Sequence, residues 1–178
     1  MSSSLKRRGG GANGGGGGKE KKPRERKERP IDLTPDIEFF TNFTLEFVKE
    51  NDKNYYFVIK SLGQEKFIFY KAKAVALMNA LQQALMICDK NVADTEHDRE
   101  LFEKKIDEDL ENGFQSRLLA SVYFKKIGIA LRVFVMNDEI GDFVPSKRAI
   151  KFEHDRDEFE KMSAFIDRKL LHVNEKKK

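Results

Sequence analysis

The residues best suited to chemistry in this chain are aromatic and basic side chains of shared parity. Tyr56 and Lys60, Lys66 and Tyr70, Tyr123 and Lys125, Arg132 and Phe134, and Lys147 and Lys151 each interleave with apolar residues of the other parity. Successive side chains of a strand point to opposite faces, so this set is expected to project away from a core. Aromatic rings stack on unpaired bases at ~1–3 kcal/mol per base, while Lys and Arg track phosphates, so the combination suits single-stranded DNA or RNA. The competing reading makes the outward aromatics a second core face, covered by the other half of the chain or by a homodimer partner.

A second cationic feature lies at the start. Lys6, Arg7 and Arg8 precede a glycine-rich stretch, and Lys21, Lys22, Arg24, Arg26 and Lys27 follow it. By charge these are sequence-independent phosphate ligands. They also read as a nuclear-localisation signal or a solubilising extension. Residues 1–30 carry +7 and the last four +2; with +4 over the whole chain, everything between carries −5. The basic character therefore belongs to the ends, and any basic patch on the body must be found locally. Gly9 to Gly14 formally matches a dinucleotide fingerprint, but no strand precedes it and no helix follows.

Catalysis finds little support. His97, His154 and His172 are far apart, and no H-x-x-x-H or C-x-x-C pair could hold zinc. Cys88 has no base beside it in sequence and reads as a buried helix-end thiol. Asp107, Glu108 and Asp109 lack the glycine and ligand spacing of a calcium loop and read as a solvated helix face. No cofactor, metal or catalytic set emerges, so the expectation is a non-enzymatic protein.

The elements that must position the aromatic and basic set follow from composition and periodicity. Of 178 residues, 36% are charged, yet 15 Phe and 4 Tyr suffice for a core. No apolar run has the ~18 residues of a membrane span. A single cysteine and a first thirty residues without a secretory apolar stretch point to an intracellular chain, with no choice among nucleus, nucleoid and cytoplasm.

Residues 1–30 hold eight of the twelve glycines and are expected to form a disordered basic tail. Phe43, Leu45 and Phe47 begin a strand pattern that continues through Tyr55–Lys60 and Lys66–Tyr70, with core side chains Phe57, Ile59, Phe67 and Phe69. The period then lengthens to that of a helix between Ala72 and Cys88, with Val75, Met78, Ala80, Leu81, Leu85 and Met86 on one face. Residues 89–112 hold ten acidic and four basic side chains. With Leu101, Phe102, Ile106 and Leu110 as a thin stripe, this segment reads as an acidic, partly helical connector. Strands then return over Leu118–Lys125, Ile129–Met136 and Lys147–Phe152, with a turn at Lys126–Gly128. Leu118, Val122, Phe124, Leu131, Val133, Ile150 and Phe152 are the expected core. A helix follows, with Asp155 as N-cap, Glu158 as its capping-box partner, and Phe159, Met162, Phe165, Ile166, Leu170 and Val173 buried.

The expected organisation is a tail (1–30), a first ββ(β)βα repeat (31–88), the connector (89–112), a second repeat (113–174) and a basic tip (175–178). The fold class is α+β, with antiparallel sheets each packed on one amphipathic helix.

This order resembles the single-strand-binding superfamily of Whirly proteins, PUR repeats and positive-cofactor-four transcriptional coactivators. Phe67–Leu81 and Ala149–Phe159 resemble its passage from last strand to helix, and Phe47–Asn51 followed by Tyr55–Phe57 resembles the opening of a PUR repeat. Some PUR proteins also carry a glycine-rich extension. Those families have four strands per repeat where three are clear here; Ile37–Phe40 and Phe114–Arg117 are the candidates for the fourth. The resemblance is topological and covers residues 37–173. It implies two repeats joined into one unit whose sheet surface binds single-stranded DNA or RNA in transcription, replication or RNA handling, and it assigns no individual residue. The alternative is an assembly subunit whose basic tail alone touches nucleic acid.

Overall fold

The computed structural model describes residues 34–176, apart from 52 and 63–65. The first half contains β1 (Ile37–Phe39), β2 (Phe43–Lys49), β3 (Tyr55–Ser61), β4 (Lys66–Phe69) and α1 (Lys71–Asn91). The second contains β5 (Arg99–Asp109), β6 (Phe114–Tyr123), β7 (Lys126–Asn137), β8 (Asp142–Phe152) and α2 (Arg156–Lys176). Each half is thus four strands and a helix, and each sheet is an antiparallel meander: β1-β2-β3-β4 and β8-β7-β6-β5. The α+β class holds, with four strands in each half. Among the described residues, no helix is long and apolar enough to cross a membrane.

Local chemistry explains most boundaries. Asn51 Oδ1 accepts the amides of Lys53 at 2.8 Å and Asn54 at 3.0 Å, closing the β2–β3 turn. Gly113 ends the β5–β6 turn at φ +74°, and a Cβ there would stand 3.3 Å from that of Met136. Asp155 caps α2 through its Oδ1, which accepts the Asp157 amide at 2.9 Å. Glu158 does not complete a capping box. Its Oε2 accepts the Thr41 hydroxyl at 2.8 Å and the Thr41 amide at 3.2 Å, because α2 runs against the first half.

The acidic segment is where the structure departs most from the sequence expectation. Beyond the last turn of α1, residues 89–112 are not helical. Arg99–Asp109 is the edge strand of the second sheet and its missing fourth strand. Two register shifts, between Glu100 and Phe102 and between Lys105 and Asp107, break its period-2 pattern. The spacing of Leu101, Phe102 and Ile106 then imitates a helix. Phe114–Arg117 belongs to the long strand β6, and the basic tip continues α2 as far as Lys176.

One core serves both halves. Phe43, Leu45, Phe47, Phe57, Ile59, Phe67 and Phe69 join Leu118, Leu131, Ile150, Phe152 and the apolar faces of both helices in a single buried cluster. Phe43 meets Phe152 edge-on at 5.1 Å. Phe165 of α2 meets Phe57 of β3 at 6.4 Å, while α1 lies against β5 and β6 as well as β3 and β4. Each helix therefore reaches the other half's sheet. On α1, Val75 and Met86 fall outside the buried face, which is carried instead by Ala74, Leu77, Ala84 and Cys88 beside Met78, Ala80, Leu81 and Leu85.

Candidate nucleic-acid interface

Register fixes the outward face of the first sheet. Phe39, Thr44, Lys60 and Lys66 are successive cross-strand neighbours; Ile37, Glu46, Val58 and Ile68 form the next row. In the third row Val48 pairs with Tyr56, whose ring lies 5.6 Å from that of Tyr70. Lys60 and Lys66 are thus brought together, as are Tyr56 and Tyr70, on one face with the Val58–Ile68 row between the two pairs. Both lysines are exposed and Tyr70 is 61% exposed, whereas Tyr56 is half-buried. Like charges directly opposite cost stability, so the Lys60–Lys66 pair is a local concentration of positive potential. Phe39, 68% exposed, joins this face and was missed because β1 is too short to show a period.

On the second sheet, Tyr123 and Lys125 sit at the tip of the β6–β7 hairpin. The turn residues are Phe124 and Lys125, both left-handed at φ 53° and 63°. Two-residue hairpins need this geometry but usually recruit Asn-Gly, so a bulky residue here is strained. Phe124 is therefore not a core residue. It is 74% exposed, beside Tyr123 at 62%, with ring centroids 4.3 Å apart. Asp98 Oδ1 braces the tip by accepting the Phe124 amide at 3.0 Å, and Lys125 Nζ lies 3.9 Å from Glu96. The expected turn at Lys126–Gly128 is instead the start of β7.

Arg132 and Phe134 do share the outward side of β7, but Phe134 is only 7% exposed. The Arg117 guanidinium lies over its ring at 4.1 Å, held by Gln115 at 2.8 and 3.0 Å and by Glu103 at 2.6 Å. Phe134 is consequently not an open stacking platform, and Arg117 is the surface group in its place. Arg117 was legible by its parity, opposite to that of the buried Leu118 and Ala120, once β6 is extended back to Phe114. Arg132 donates to the Ser146 carbonyl at 2.6 Å, across an irregularity of β8 between Pro145 and Ala149. Lys147 projects from that irregularity and Lys151 from the regular strand beyond it; both are exposed. Arg7, Arg8, Lys21, Lys22, Arg24, Arg26 and Lys27 lie outside the described residues.

Electrostatics differ along this sheet. On the edge strand, Glu100 has its carboxyl pulled above the usual range by a hydrogen bond with Glu103, and further by burial and the Glu103 charge. The Cys88 thiol is pushed up to about 11 by burial and by Asp89, so it stays protonated at neutral pH and is no thiolate nucleophile. His154 Nε2 lies 2.7 Å from Asp89, which also receives Arg156 at 3.2 Å. Among the described residues, no group of three or more His, Cys, Asp or Glu side chains is arranged to hold a metal ion. No protein-family model matches the chain, and no curated protein is significantly similar to it.

Proposed function

We propose that this protein binds single-stranded DNA or RNA on the outward faces of its two sheets and catalyses no reaction. The observation that carries the reading is the coincidence, on each sheet, of exposed rings with exposed cations: Tyr70 on the same outward face as Lys60 and Lys66, beyond the Val58–Ile68 row, and Tyr123 on the sheet that bears Lys147 and Lys151. Open π-faces accept bases of any identity, and the cations accept phosphates. The repeated ββββα order agrees with the resemblance to Whirly, PUR and positive-cofactor-four proteins, whose sheets bind single strands. The cationic 1–30 segment would add sequence-independent attraction. Transcription, replication and RNA handling are the settings where such binding serves.

Anisotropy titrations with labelled single-stranded DNA, single-stranded RNA and duplex test this. Single strands should bind more tightly than duplex, with affinity falling steeply as salt rises. Equal affinity for duplex, or complete loss of binding on deleting residues 1–33, would refute the sheet surface as the site.

A second reading has its own observation. Ile37, Phe39 and Ile68 are exposed around Val58, so the outward face of the first sheet also suits a protein partner or a second copy. Light scattering would then show a dimer, and Phe39→Ser would abolish it while leaving oligonucleotide affinity unchanged.

A further inference from the structure

The outward face of the second sheet contains a groove of about 400 Å³, within the roughly 300–1,000 Å³ typical of small-ligand sites. One wall is cationic, formed by Arg132 and Lys151; the floor is Ser121, Gly128, Ala130 and Ala149. Register explains the shape: Ser121 faces Gly128, Ala130 faces Lys151, and Arg132 faces Ala149. The floor therefore spans three strands on small side chains, bordered on its β6 side by Leu119, the cross-strand neighbour of Ala130, on a sheet that elsewhere carries Tyr123 and Arg117. A Cβ added at Gly128 would meet nothing within 4 Å. The room is real, and no backbone requirement keeps a glycine there.

The wall is also pre-set. The Ser146 carbonyl that holds Arg132 is itself fixed, because Ser146 Oγ donates to the Val133 carbonyl at 2.7 Å and accepts the Arg148 amide at 3.1 Å. A cation held this way loses less freedom on binding an anion. On the opposite side stand Glu100 and Glu103, the cross-strand neighbours of Ser121 and Leu119. An anionic ligand is thereby directed toward β8 and away from β5.

We infer that this groove seats one nucleotide of a single strand, phosphate against Arg132 and Lys151 and base on the Gly128–Ala130 floor. This deepens the single-strand reading above and rests on it. The floor's backbone groups belong to the strand ladders, so the seat reads size and charge and takes any base.

The test uses the full chain and two labelled probes, a deoxyuridine homopolymer and a uridine homopolymer. Gly128→Leu fills the floor, and Gly128→Ala is the size control. The inference expects Gly128→Leu to weaken binding on the order of tenfold with an unchanged melting temperature, and Gly128→Ala, which adds only one carbon to the floor, to weaken it less. Loss with both probes assigns the seat to single strands in general, and loss with one assigns it to that sugar. Undiminished binding by folded Gly128→Leu overturns the groove and leaves the wider sheet reading standing. Failure of the parent chain to bind either probe overturns both. If Gly128→Leu does not fold, the parent chain's amide resonances decide: Gly128, Ala130 and Ala149 should shift on titration, and unmoved signals overturn the seat.

Discussion

The guanidinium carbon of Arg117 on β6 lies 4.1 Å from the ring centroid of Phe134 on β7. Such a pair contributes ~0.5–2 kcal/mol, the higher value where the cation is desolvated. It also turns a residue whose parity suggests a stacking ring into a supporting one. Phe134→Ala should therefore destabilise the protein by ~3 kcal/mol, the low end for a buried Phe. Arg117→Ala should cost less stability yet uncover the ring. Urea denaturation of both variants checks the order; a Phe134→Ala protein as stable as its parent would contradict the burial.

Lys60 and Lys66 face each other across β3 and β4. For single strands the slope of log affinity against log salt is about −0.7 per phosphate neutralised. Replacing both lysines by alanine should flatten that slope by about 1.4, whereas an unchanged slope would remove the first sheet from the binding surface.

Asp89 links the end of α1 to the loop before α2. Its hydrogen bond with His154, and secondarily the one from Arg156, holds its carboxyl below the ordinary value. A depressed carboxylate contributes stability above its unfolded pKa and loses it as pH falls through the folded one. Asp89→Asn should consequently be less stable than the parent near pH 6, and the gap should close below about pH 4. Melting curves across that range measure the gap; one that widened in acid would contradict the assignment.

Glu100 has the opposite sign. Its raised pKa means that the folded state favours the protonated form, so its contribution is present in acid and lost as pH rises. Glu100→Gln should raise the melting temperature at pH 7 to 8, with the gain vanishing toward pH 4, and should tighten oligonucleotide binding at low salt. Weaker binding by the variant would contradict a negative wall beside the groove.

Phe165 is fully buried against Phe57, although α2 and β3 belong to different halves. Phe165→Ala should cost ~3–5 kcal/mol. Unfolding should remain one transition, identical by tyrosine fluorescence and by far-ultraviolet circular dichroism. Two separate transitions would mean that each half holds its own core.

Most of the fold was legible wherever alternation is uninterrupted. Phe43, Leu45 and Phe47 in the first sheet, and Ile129, Leu131 and Val133 in the second, declare a buried face by parity alone. Legibility fails where a physical device breaks the period. The irregularities of β5 put Ile106 in the core out of step with its neighbours, so an acidic strand read as a connector. The β6–β7 turn uses Phe and Lys where Gly or Asn would have announced it, and one strand absorbed Phe124. Of the candidate surface, Tyr70, Lys60, Lys66, Tyr123 and Lys151 follow from parity. The cover that Arg117 lays on Phe134 does not, because it depends on which two strands are neighbours.

The crossing of the helices has a consequence for synthesis. Residues 34–69 emerge first and form the first sheet, but the Phe165 that closes over Phe57 follows almost a hundred residues later. Before β8 and α2 follow, that apolar face has only α1 to cover it, and α1 also belongs to a second sheet not yet made. Contacts so distant in sequence slow folding and leave apolar surface exposed meanwhile. A nascent chain of this protein should therefore be a client of holding chaperones until α2 has left the ribosome.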